Sequence, residues 1–370
     1  MKPCLYSTVT LLILACLACK KDAEEVPVAT PTTNQSVLGN QAPDTLFTFA
    51  FVGCNRVSDG DHSNHSTANV NVLRRIFNDI SEESTQPKTF FFLGDIVRSL
   101  SRNPSTMDNQ LSAWVGMYND PNYSKITNSG IEMVVVPGNH EMLYYKDRGD
   151  PDQDEWPWYG ASKIWLKHMS RFMPSDRDTI ADTSIVQKMT FSLIRNRVGF
   201  IIMNTDTYNS HGSHGEEGRT NTDWVAAKIK EYQSSSEVDH VFVLGHKPYY
   251  VDDQFKTGHK GFADGPVLWP EMQSGHVVAF LAAHKHDYQR WQPESSGGTY
   301  QIVAGHGGSS GAAEFFGYTL IYILSDNTVH LVTKGVKKGS PFTEDMSAHE
   351  NKVRDEAVLT WEKNKNTYPN

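Results

Sequence analysis

Five short apolar runs, each followed at once by polar residues, constrain the fold of this 370-residue chain more than any other feature. They cover residues 48–53, 89–94, 133–138, 240–245 and 277–283, and Val and Phe are frequent in them. Four of the runs end on a glycine and the fifth ends on two alanines. Continuous apolar runs of this length are typical of strands buried on both faces of a sheet that helices cover. The pattern predicts an α/β fold.

Segments with helical periodicity alternate with these runs. We predict helices at residues 67–80, 111–118, 161–172 and 222–232. We predict further short strands, the last two forming a hairpin, at residues 298–304, 318–324 and 327–333. No internal linker or repeat divides this region. The sequence therefore predicts one domain over residues 45–333, followed by a polar extension over residues 334–370 that forms a loosely held helix or tail.

Residues of metal-binding types follow the five apolar runs. They are Cys54, Asp95, Asn139, His140, His246, His284 and His286. Because ligands in open α/β sheets bind beyond the carboxyl ends of the strands, we expect these side chains to face one crevice. Carboxylate, amide and imidazole ligands suit transition ions such as Fe, Zn or Mn. A single histidine at a strand end is usually a polar loop residue, but the repetition favours a metal site.

Four of these motifs resemble, in their order, the motifs of the calcineurin-like metallophosphoesterase superfamily. The motifs are Gly94-Asp95, Gly138-Asn139-His140-Glu141, Gly245-His246 and His284-Lys285-His286. The resemblance implies a four-layer αββα sandwich, in which two central sheets lie between helices. It also implies two metal ions that share one bridging carboxylate, and a small phosphorylated substrate.

The resemblance implies a role for each matching residue. Asp95 is expected to bridge the two ions, and His286 is expected to lie beside it on the first ion. The second metal site is expected to be completed by Asn139, His246 and His284. His140 is expected to stabilise the phosphoryl oxygens or to protonate the leaving group. Two ions in such a site hold the attacking and the departing oxygen of a displacement at phosphorus.

The first motif departs from the superfamily pattern. Cys54-Asn55-Arg56 stands where the superfamily carries Asp-x-His, and it resembles the start of alkaline phosphatase D-type enzymes, in which a cysteine takes part in binding iron. Since a metal-bound thiol is deprotonated, Cys54 is predicted as a ligand, the alternative being a small buried residue at a strand end. Arg56 is predicted to bind a substrate phosphate. His306 is predicted to contact substrate, because its glycine-rich loop resembles one that closes the superfamily's site.

Three further segments give weaker indications of a role at the site. Residues 59–65 and 211–217 contain histidines and acidic residues that either line the crevice or belong to solvated loops. Residues 155–159 (Glu-Trp-Pro-Trp-Tyr) either form an aromatic wall over the crevice or pack in the ordinary way. Arg98 occupies the position that a tyrosine holds in purple acid phosphatases, so no charge-transfer tyrosine is predicted there.

The N-terminal segment indicates export. A basic start precedes an apolar stretch that is too short to span a bilayer, and we expect residues 1–18 to be a signal peptide. Cys19 resembles the acylated cysteine of bacterial lipoproteins, with Cys16 or cleavage without lipid as the alternatives. Residues 19–44 are predicted to be a flexible tether. Lipid on Cys19 would anchor the protein to a membrane, in the periplasm or at the cell surface.

Charge and cysteine usage narrow the function further. The formal net charge of -9 and the lack of a basic run argue against nucleic acid as a partner. Cys54 remains as the single cysteine of the domain, so it cannot form an internal disulfide. The predicted function is hydrolysis of a phosphate ester, with a monoester favoured, by a metal-bound hydroxide at a dinuclear site. The alternatives are a phosphodiesterase or nucleotidase, a cell-surface binding protein with weakened catalysis, and a catalyst that keeps only the second metal site.

Overall fold

The computed structural model describes residues 42–57, 67–145, 155–181, 184–208, 217–251, 260–311, 313–338 and 350–363. The predicted signal peptide, Cys19 and nearly all of the predicted tether lie outside these residues, as do residues 59–65 and the histidines of residues 211–214. Within the described ranges, no helix is both long and apolar enough to cross a membrane.

The described residues form fifteen strands and six α-helices. In chain order the strands are β1 (Thr45–Val52), β2 (Thr89–Phe92), β3 (Glu132–Val135), β4 (Leu143–Tyr145), β5 (Glu155–Pro157), β6 (Asp178–Thr179), β7 (Phe191–Arg195), β8 (Val198–Ile202), β9 (His240–Leu244), β10 (Ala279–Ala282), β11 (Tyr288–Trp291), β12 (Tyr300–Ala304), β13 (Phe315–Leu324), β14 (Val329–Lys337) and β15 (Lys352–Val358). The helices are α1 (Val70–Ser81), α2 (Pro104–Asn119), α3 (Asn139–Met142), α4 (Tyr159–Met169), α5 (Thr222–Ser234) and α6 (Gly265–Ser274). Short 3-10 helices lie at Lys125–Asn128, Ser170–Phe172 and Ile185–Met189.

Two large sheets contain most of the strands. The first has the order β15-β14-β13-β1-β2-β3, in which β1, β2 and β3 are parallel and β13, β14 and β15 join antiparallel. The second has the order β11-β12-β10-β9-β8-β7-β6, in which β8, β9, β10 and β12 are parallel. The five apolar runs coincide with most or all of β1, β2, β3, β9 and β10. They therefore supply the parallel centres of both sheets.

Three apolar cores separate four layers. One core joins the first sheet to α1, α2 and α4, and another joins the second sheet to α5 and α6. The third core lies between the two sheets, where the Phe49 ring meets the rings of Phe200 and Phe242 edge-on at 4.9 and 5.1 Å. Edge-on aromatic pairs at this spacing are favourable beyond their buried area. The four-layer αββα sandwich predicted for a single domain is confirmed.

Helix α1 shows why the sequence becomes helical at these positions. Its buried residues recur at spacings of three and four along one face: Val72, Leu73, Ile76, Phe77 and Ile80. The Asn69 side chain accepts a hydrogen bond from the Val72 amide at 3.3 Å and caps the helix. For α2, Asn103 serves as the cap and Pro104 takes the first turn, so this helix begins well before the predicted residue 111.

The chain beyond residue 333 corrects the prediction of a loosely held extension. β14 continues to Lys337, and β15 pairs with it over residues such as Leu331, which lies opposite Ala357. Asp355 on β15 accepts hydrogen bonds from the Tyr288 hydroxyl and from Arg290 Nε on the other sheet, both at 2.7 Å. The sequence did not predict β15 because this edge strand is rich in charged residues. It therefore lacks the regular alternation of apolar and polar residues that is typical of a strand.

Candidate metal centre

The predicted ligands lie at the carboxyl ends of parallel strands from both sheets. Hydrogen bonds join these ends, since the Cys54 amide donates to the Gly94 carbonyl and the Ala283 amide donates to the His246 carbonyl, both at 2.9 Å. Gly94 has φ +83°, and a Cβ there would lie 2.7 Å from His246 Nδ1. Only glycine allows this approach. The two sheets are therefore in contact where the motifs end.

Three candidate ligands have a left-handed backbone. The φ angles are 60° at Cys54, 55° at Asp95 and 62° at His284. Residues other than glycine adopt such angles rarely, and each costs on the order of 1–3 kcal/mol unless its surroundings impose it. Left-handed residues of this kind cluster at functional sites. Here the turn directs each side chain out of its strand and into a shared crevice.

Four side chains converge within hydrogen-bonding distance of one another. His246 Nε2 lies 3.2 Å from Asp95 Oδ1 and 3.0 Å from Asn139 Oδ1. His284 Nδ1 lies 3.0 Å from the same Asn139 oxygen and 3.2 Å from His246 Nε2. All four residues are buried. The second metal site expected from the sequence is thus brought together by residues from β2, β3, β9 and β10.

The surroundings fix which atoms of this cluster carry protons. His246 Nδ1 lies 2.6 Å from the Leu93 carbonyl and donates to it, so Nε2 presents a lone pair whenever the ring is neutral. The Asn139 amide nitrogen donates to Glu155 Oε2 at 2.9 Å, which turns Oδ1 towards the histidines. A lone pair, an amide oxygen and a carboxylate oxygen therefore face each other. Such acceptors are stabilised together by a proton or a cation between them.

The pKa shifts of the cluster also favour a bound cation. Burial alone would raise the pKa of Asp95, but the neighbouring His246, His140 and Arg56 hold it well below its usual range. Burial alone would lower the pKa of His246, but the Asp95 carboxylate raises it above its ordinary value. A carboxylate, an amide oxygen and two imidazoles suit a borderline divalent ion. Asp95, Asn139, His246 and His284 therefore fit a resident metal ion.

Cys54 lies beside two of these residues, Asp95 and His246. Its sulfur, a carboxylate oxygen of Asp95 and a ring nitrogen of His246 all lie within 4.8 Å of one another. Burial is the largest influence on this thiol and holds its pKa well above the usual value, so the thiol is neutral unless a cation binds it. The structure thus places Cys54, predicted as a ligand from the first motif, next to Asp95 and also next to His246 of the second-site cluster.

The predicted first site is arranged differently. His286 Nδ1 lies 2.7 Å from the Ser310 carbonyl, and its Nε2 faces Arg56 Nη2 at 3.4 Å. Arg56 Nε in turn lies 3.6 Å from Asp95 Oδ2. A guanidinium group therefore stands between Asp95 and His286, the two residues expected to share the first ion. These residues do not fit a metal ion while Arg56 holds this position.

His140 lies next to the bridging position of Asp95. Its backbone amide donates to Asp95 Oδ1 at 3.1 Å, and its ring Nδ1 lies against the Arg98 carbonyl. Nε2 is then left facing Asp95 Oδ2 at 3.9 Å. Burial, aided by Arg56, lowers the pKa of His140 well below its usual value, so the ring is neutral. In this state Nε2 accepts hydrogen bonds rather than donating them.

Comparison with known proteins identifies the family. The sequence model described as calcineurin-like phosphoesterase matches residues 60–288, more than half of the chain. The chain belongs to this family. Calcineurin-like phosphoesterases use divalent metal ions, and the donor set of Asp95, Asn139, His246 and His284 is of a kind that binds such an ion. The superfamily predicted from the strand-end motifs is confirmed.

Solved structures agree with the fold. The chain resembles a purple acid phosphatase from yellow lupin (Lupinus luteus) seeds with a TM-score of 0.54 and 14% identity, over 84% of this chain and 53% of that enzyme. It resembles the structure of PhoD with a TM-score of 0.53 and 12% identity, over 88% of this chain and 71% of that one. The chain thus spans about half the length of the lupin enzyme. None of the curated proteins compared with the sequence matches it.

Two carboxylates next to the ligands, the buried Glu141 and the partly buried Glu155, are parts of the site that the sequence did not predict. Glu141 accepts hydrogen bonds from the amides of Asp95, Val97 and Gly138 at 2.8–3.0 Å, and burial raises its pKa to about 7. Glu155 holds the Asn139 amide, and burial raises its pKa to about 7 as well. Glu141 ends the Gly-Asn-His-Glu motif and was visible as a candidate. Glu155 begins a segment of mostly aromatic residues, and no motif in the sequence links it to Asn139.

A buried lysine lies next to the metal ligand His246. Lys247 Nζ lies 2.9 Å from Asp206 Oδ1 and 3.1 Å from Glu217 Oε2. These carboxylates, together with Glu155, raise its pKa although burial alone would lower it. A charged lysine with two acidic partners is compensated in the interior. Lys247 therefore anchors the loop behind the crevice rather than serving as a proton acceptor.

His306 corrects the prediction of a substrate contact. The residue is fully buried, and its ring packs 5.3 Å from the Tyr288 ring and 5.1 Å from the Phe315 ring. Burial lowers the pKa of His306 to about 3, so the ring is neutral. The glycine-rich loop was predicted from resemblance, but side-chain direction within a loop is set by its packing. This histidine points into the aromatic interior.

Proposed function

We propose that this chain is a phosphatase that hydrolyses phosphate monoesters at its cluster of Asp95, Asn139, His246 and His284. The convergence of these four donors at 3.0–3.2 Å is the observation that carries the proposal. When bound there, a divalent ion polarises a phosphoryl oxygen and lowers the pKa of a water molecule. Fe, Zn or Mn suit this donor set.

The chain's own residues orient the ester and take up charge. Leu93 and Glu155 fix the orientations of His246 and Asn139 through hydrogen bonds to the atoms that face away from the site. Arg56 is half-buried, with its side chain 15% exposed, and its guanidinium group offers hydrogen bonds to phosphoryl oxygens. The neutral His140 ring lies next to Asp95; because its lowered pKa makes it a weak base, its Nε2 serves to orient the attacking water by accepting a hydrogen bond rather than to remove its proton.

The positive charge of the crevice favours a monoester over a diester. A monoester dianion carries two negative charges on its phosphoryl group, whereas a diester carries one. A divalent ion together with Arg56 carries three positive charges, more than the Asp95 carboxylate and a metal-bound Cys54 thiolate neutralise. The resemblance to a purple acid phosphatase is consistent with this choice, although it extends to the fold alone.

We also propose that the protein is exported and held at a membrane by lipid on Cys19, in the periplasm or at the cell surface. The apolar stretch at residues 8–18 and the cysteine directly after it support this proposal. Labelling with a radioactive fatty acid tests it. Wild type should incorporate the label and Cys19→Ala should not, and equal labelling of both would contradict the anchor.

Hydrolysis assays test the catalytic proposal. Purified protein loaded with Zn²⁺, Mn²⁺ or Fe²⁺ should release nitrophenol from p-nitrophenyl phosphate faster than from bis(p-nitrophenyl) phosphate. His246→Ala should lower kcat/KM by about 10³-fold or more, since it removes a metal ligand. His330→Ala, a histidine partly exposed on β14, is the matched control and should retain the rate. Faster diester hydrolysis would indicate a phosphodiesterase, and metal binding without turnover would indicate a binding protein.

A further inference from the structure

Arg56 occupies the position in which the family's first metal ion would be expected. Its Nε lies 3.6 Å from Asp95 Oδ2, and its Nη2 lies 3.4 Å from His286 Nε2. We infer that the guanidinium group of Arg56 replaces one of the two metal ions, so that this chain binds a single resident ion. The inference rests on the proposed function and concerns the composition of that same site.

The backbone of Arg56 is held on several sides. Its amide donates to the Asp95 carbonyl at 3.0 Å, and its own carbonyl accepts from the Ser309 hydroxyl at 2.7 Å. An isolated β-bridge pairs Arg56 with Ala68. These contacts tie the base of the side chain to three separate segments of the chain. The guanidinium group is therefore presented to Asp95 from a fixed position.

His286 is oriented to accept from the guanidinium group. Because Nδ1 faces the Ser310 carbonyl, it carries the ring proton and Nε2 presents a lone pair. Arg56 carries only donors, so the contact between Nη2 and Nε2 has the correct polarity. The atom with which His286 would bind a metal is thus already matched by a cation.

The two oxygens of Asp95 are divided between two cations. Oδ1 faces His246 within the four-donor cluster, and Oδ2 faces Arg56. In the family arrangement this carboxylate bridges two ions; here it would bridge one ion and one guanidinium group. A divalent ion placed between Asp95 and His286 would also be repelled at close range by the positive charge of Arg56. The Cys54 sulfur lies within 4.8 Å of both Asp95 and His246, so it is within reach of the remaining ion.

This arrangement has a mechanistic consequence. If a phosphoryl group lay between the ion and Arg56, the ion would neutralise one of its negative oxygens. The Arg56 guanidinium group would donate hydrogen bonds to another. The guanidinium group is planar and presents paired donors, which match two phosphoryl oxygens at once. It cannot lower the pKa of a water molecule as a second ion would. All activation of water then depends on the single ion.

Metal content per chain is the primary test. Wild-type protein is purified with metal and freed of loosely bound ions. It should then contain one metal ion per chain by inductively coupled plasma mass spectrometry. His286→Ala should keep that ion, whereas His246→Ala should lose it. Two ions per chain in wild type would overturn the inference, and so would loss of the single ion in His286→Ala. If wild type contains two ions per chain and still hydrolyses phosphate esters, the inference is wrong but the proposed function is supported.

Variants of Arg56 supply the second test. Arg56→Ala should keep one ion, or gain a second at high metal concentration, while kcat falls by about 10²-fold. Arg56→Lys should restore part of the rate, because it keeps the charge but not the paired donors. Arg75→Ala, which removes an arginine paired with Asp79 on α1, is the control and should change neither quantity. Loss of the ion in Arg56→Ala, or an unchanged kcat, would contradict the inference; a wild type without metal or turnover would contradict the proposed function instead.

Discussion

His246 Nε2 lies 3.0 Å from Asn139 Oδ1, and the other contacts of the two side chains make both atoms acceptors when the histidine ring is neutral. Two acceptors at this distance repel one another unless a cation or a proton lies between them. The pair comes from different sheets, with Asn139 after β3 and His246 after β9. Metal binding and the packing of the two sheets are therefore coupled.

Removal of the metal should lower the thermal stability. A ligand at 100 times its Kd stabilises the folded state by about 2.7 kcal/mol, so treatment with a chelator should lower Tm by several degrees. His284→Ala should show little difference in Tm with and without chelator. Differential scanning calorimetry with equal protein concentrations checks this. A large chelator effect that survives in His284→Ala would contradict the assignment of this ligand.

Glu155 should control metal affinity through Asn139. Glu155→Ala removes the acceptor that orients the Asn139 amide, and a change of this kind next to a ligand typically costs about 10–100-fold in metal affinity. Glu155→Gln keeps an oxygen that accepts the same hydrogen bond, so it should retain most of the affinity. Isothermal titration calorimetry with Zn²⁺ measures both. Equal affinities for wild type and Glu155→Ala would show that Asn139 needs no such support.

His306 should make the protein sensitive to acid. Its pKa is about 3 in the folded state against 6.5 ordinarily, so unfolded chains bind the proton first as the pH falls. The stability that this residue contributes is fully present above pH 6.5 and is lost towards pH 3, by about 3 kcal/mol between pH 6.5 and pH 4. His306→Leu should remove this loss. Urea denaturation at several pH values compares the two proteins.

The same variant tests the burial of His306 in a second way. Because the ring packs against Tyr288 and Phe315, His306→Leu should hydrolyse p-nitrophenyl phosphate with an unchanged KM. A raised KM in a protein of normal stability would restore the substrate contact that the sequence predicted. Equal acid sensitivity in both proteins would contradict the pKa that burial implies.

The ion pair between Arg290 and Asp355 should hold β15 in place. The two side chains are only 3% and 8% exposed, and the guanidinium group contacts both carboxylate oxygens at 2.7 and 2.9 Å. Asp355→Ala leaves a buried arginine without this partner, which typically costs about 3–5 kcal/mol in the free energy of unfolding. Glu356→Ala, which removes an exposed partner of His330, should cost less than about 1 kcal/mol. Similar losses for the two variants in urea denaturation would contradict the role of the pair.

Much of the site was predictable because it depends on strand ends. Asp95, Asn139, His246 and His284 each follow an apolar run directly, and the carboxyl ends of buried parallel strands meet at one edge. The four were therefore expected together, and the structure brings them together. The motifs that resemble those of the family contain the same four residues, so the family was predictable from the same strand ends.

Other features could not be predicted from residue types. The partner of His286, the burial of His306 and the hydrogen bond from Asn139 to Glu155 depend on how side chains from distant segments are directed. β15 depends on pairing with an already formed edge and on one ion pair between the sheets. None of these leaves a local pattern in the sequence.

The sequence by itself determined the α/β architecture, the family and the set of strand-end donors, because apolar periodicity and local motifs are properties of neighbouring residues. Only the tertiary structure decided that Arg56 stands between Asp95 and His286, and that Cys54 lies close to both Asp95 and His246. The physical reason is that the composition of a charged site depends on which cation comes closest to a carboxylate. That outcome is settled by distances of a few ångström between segments far apart in the chain.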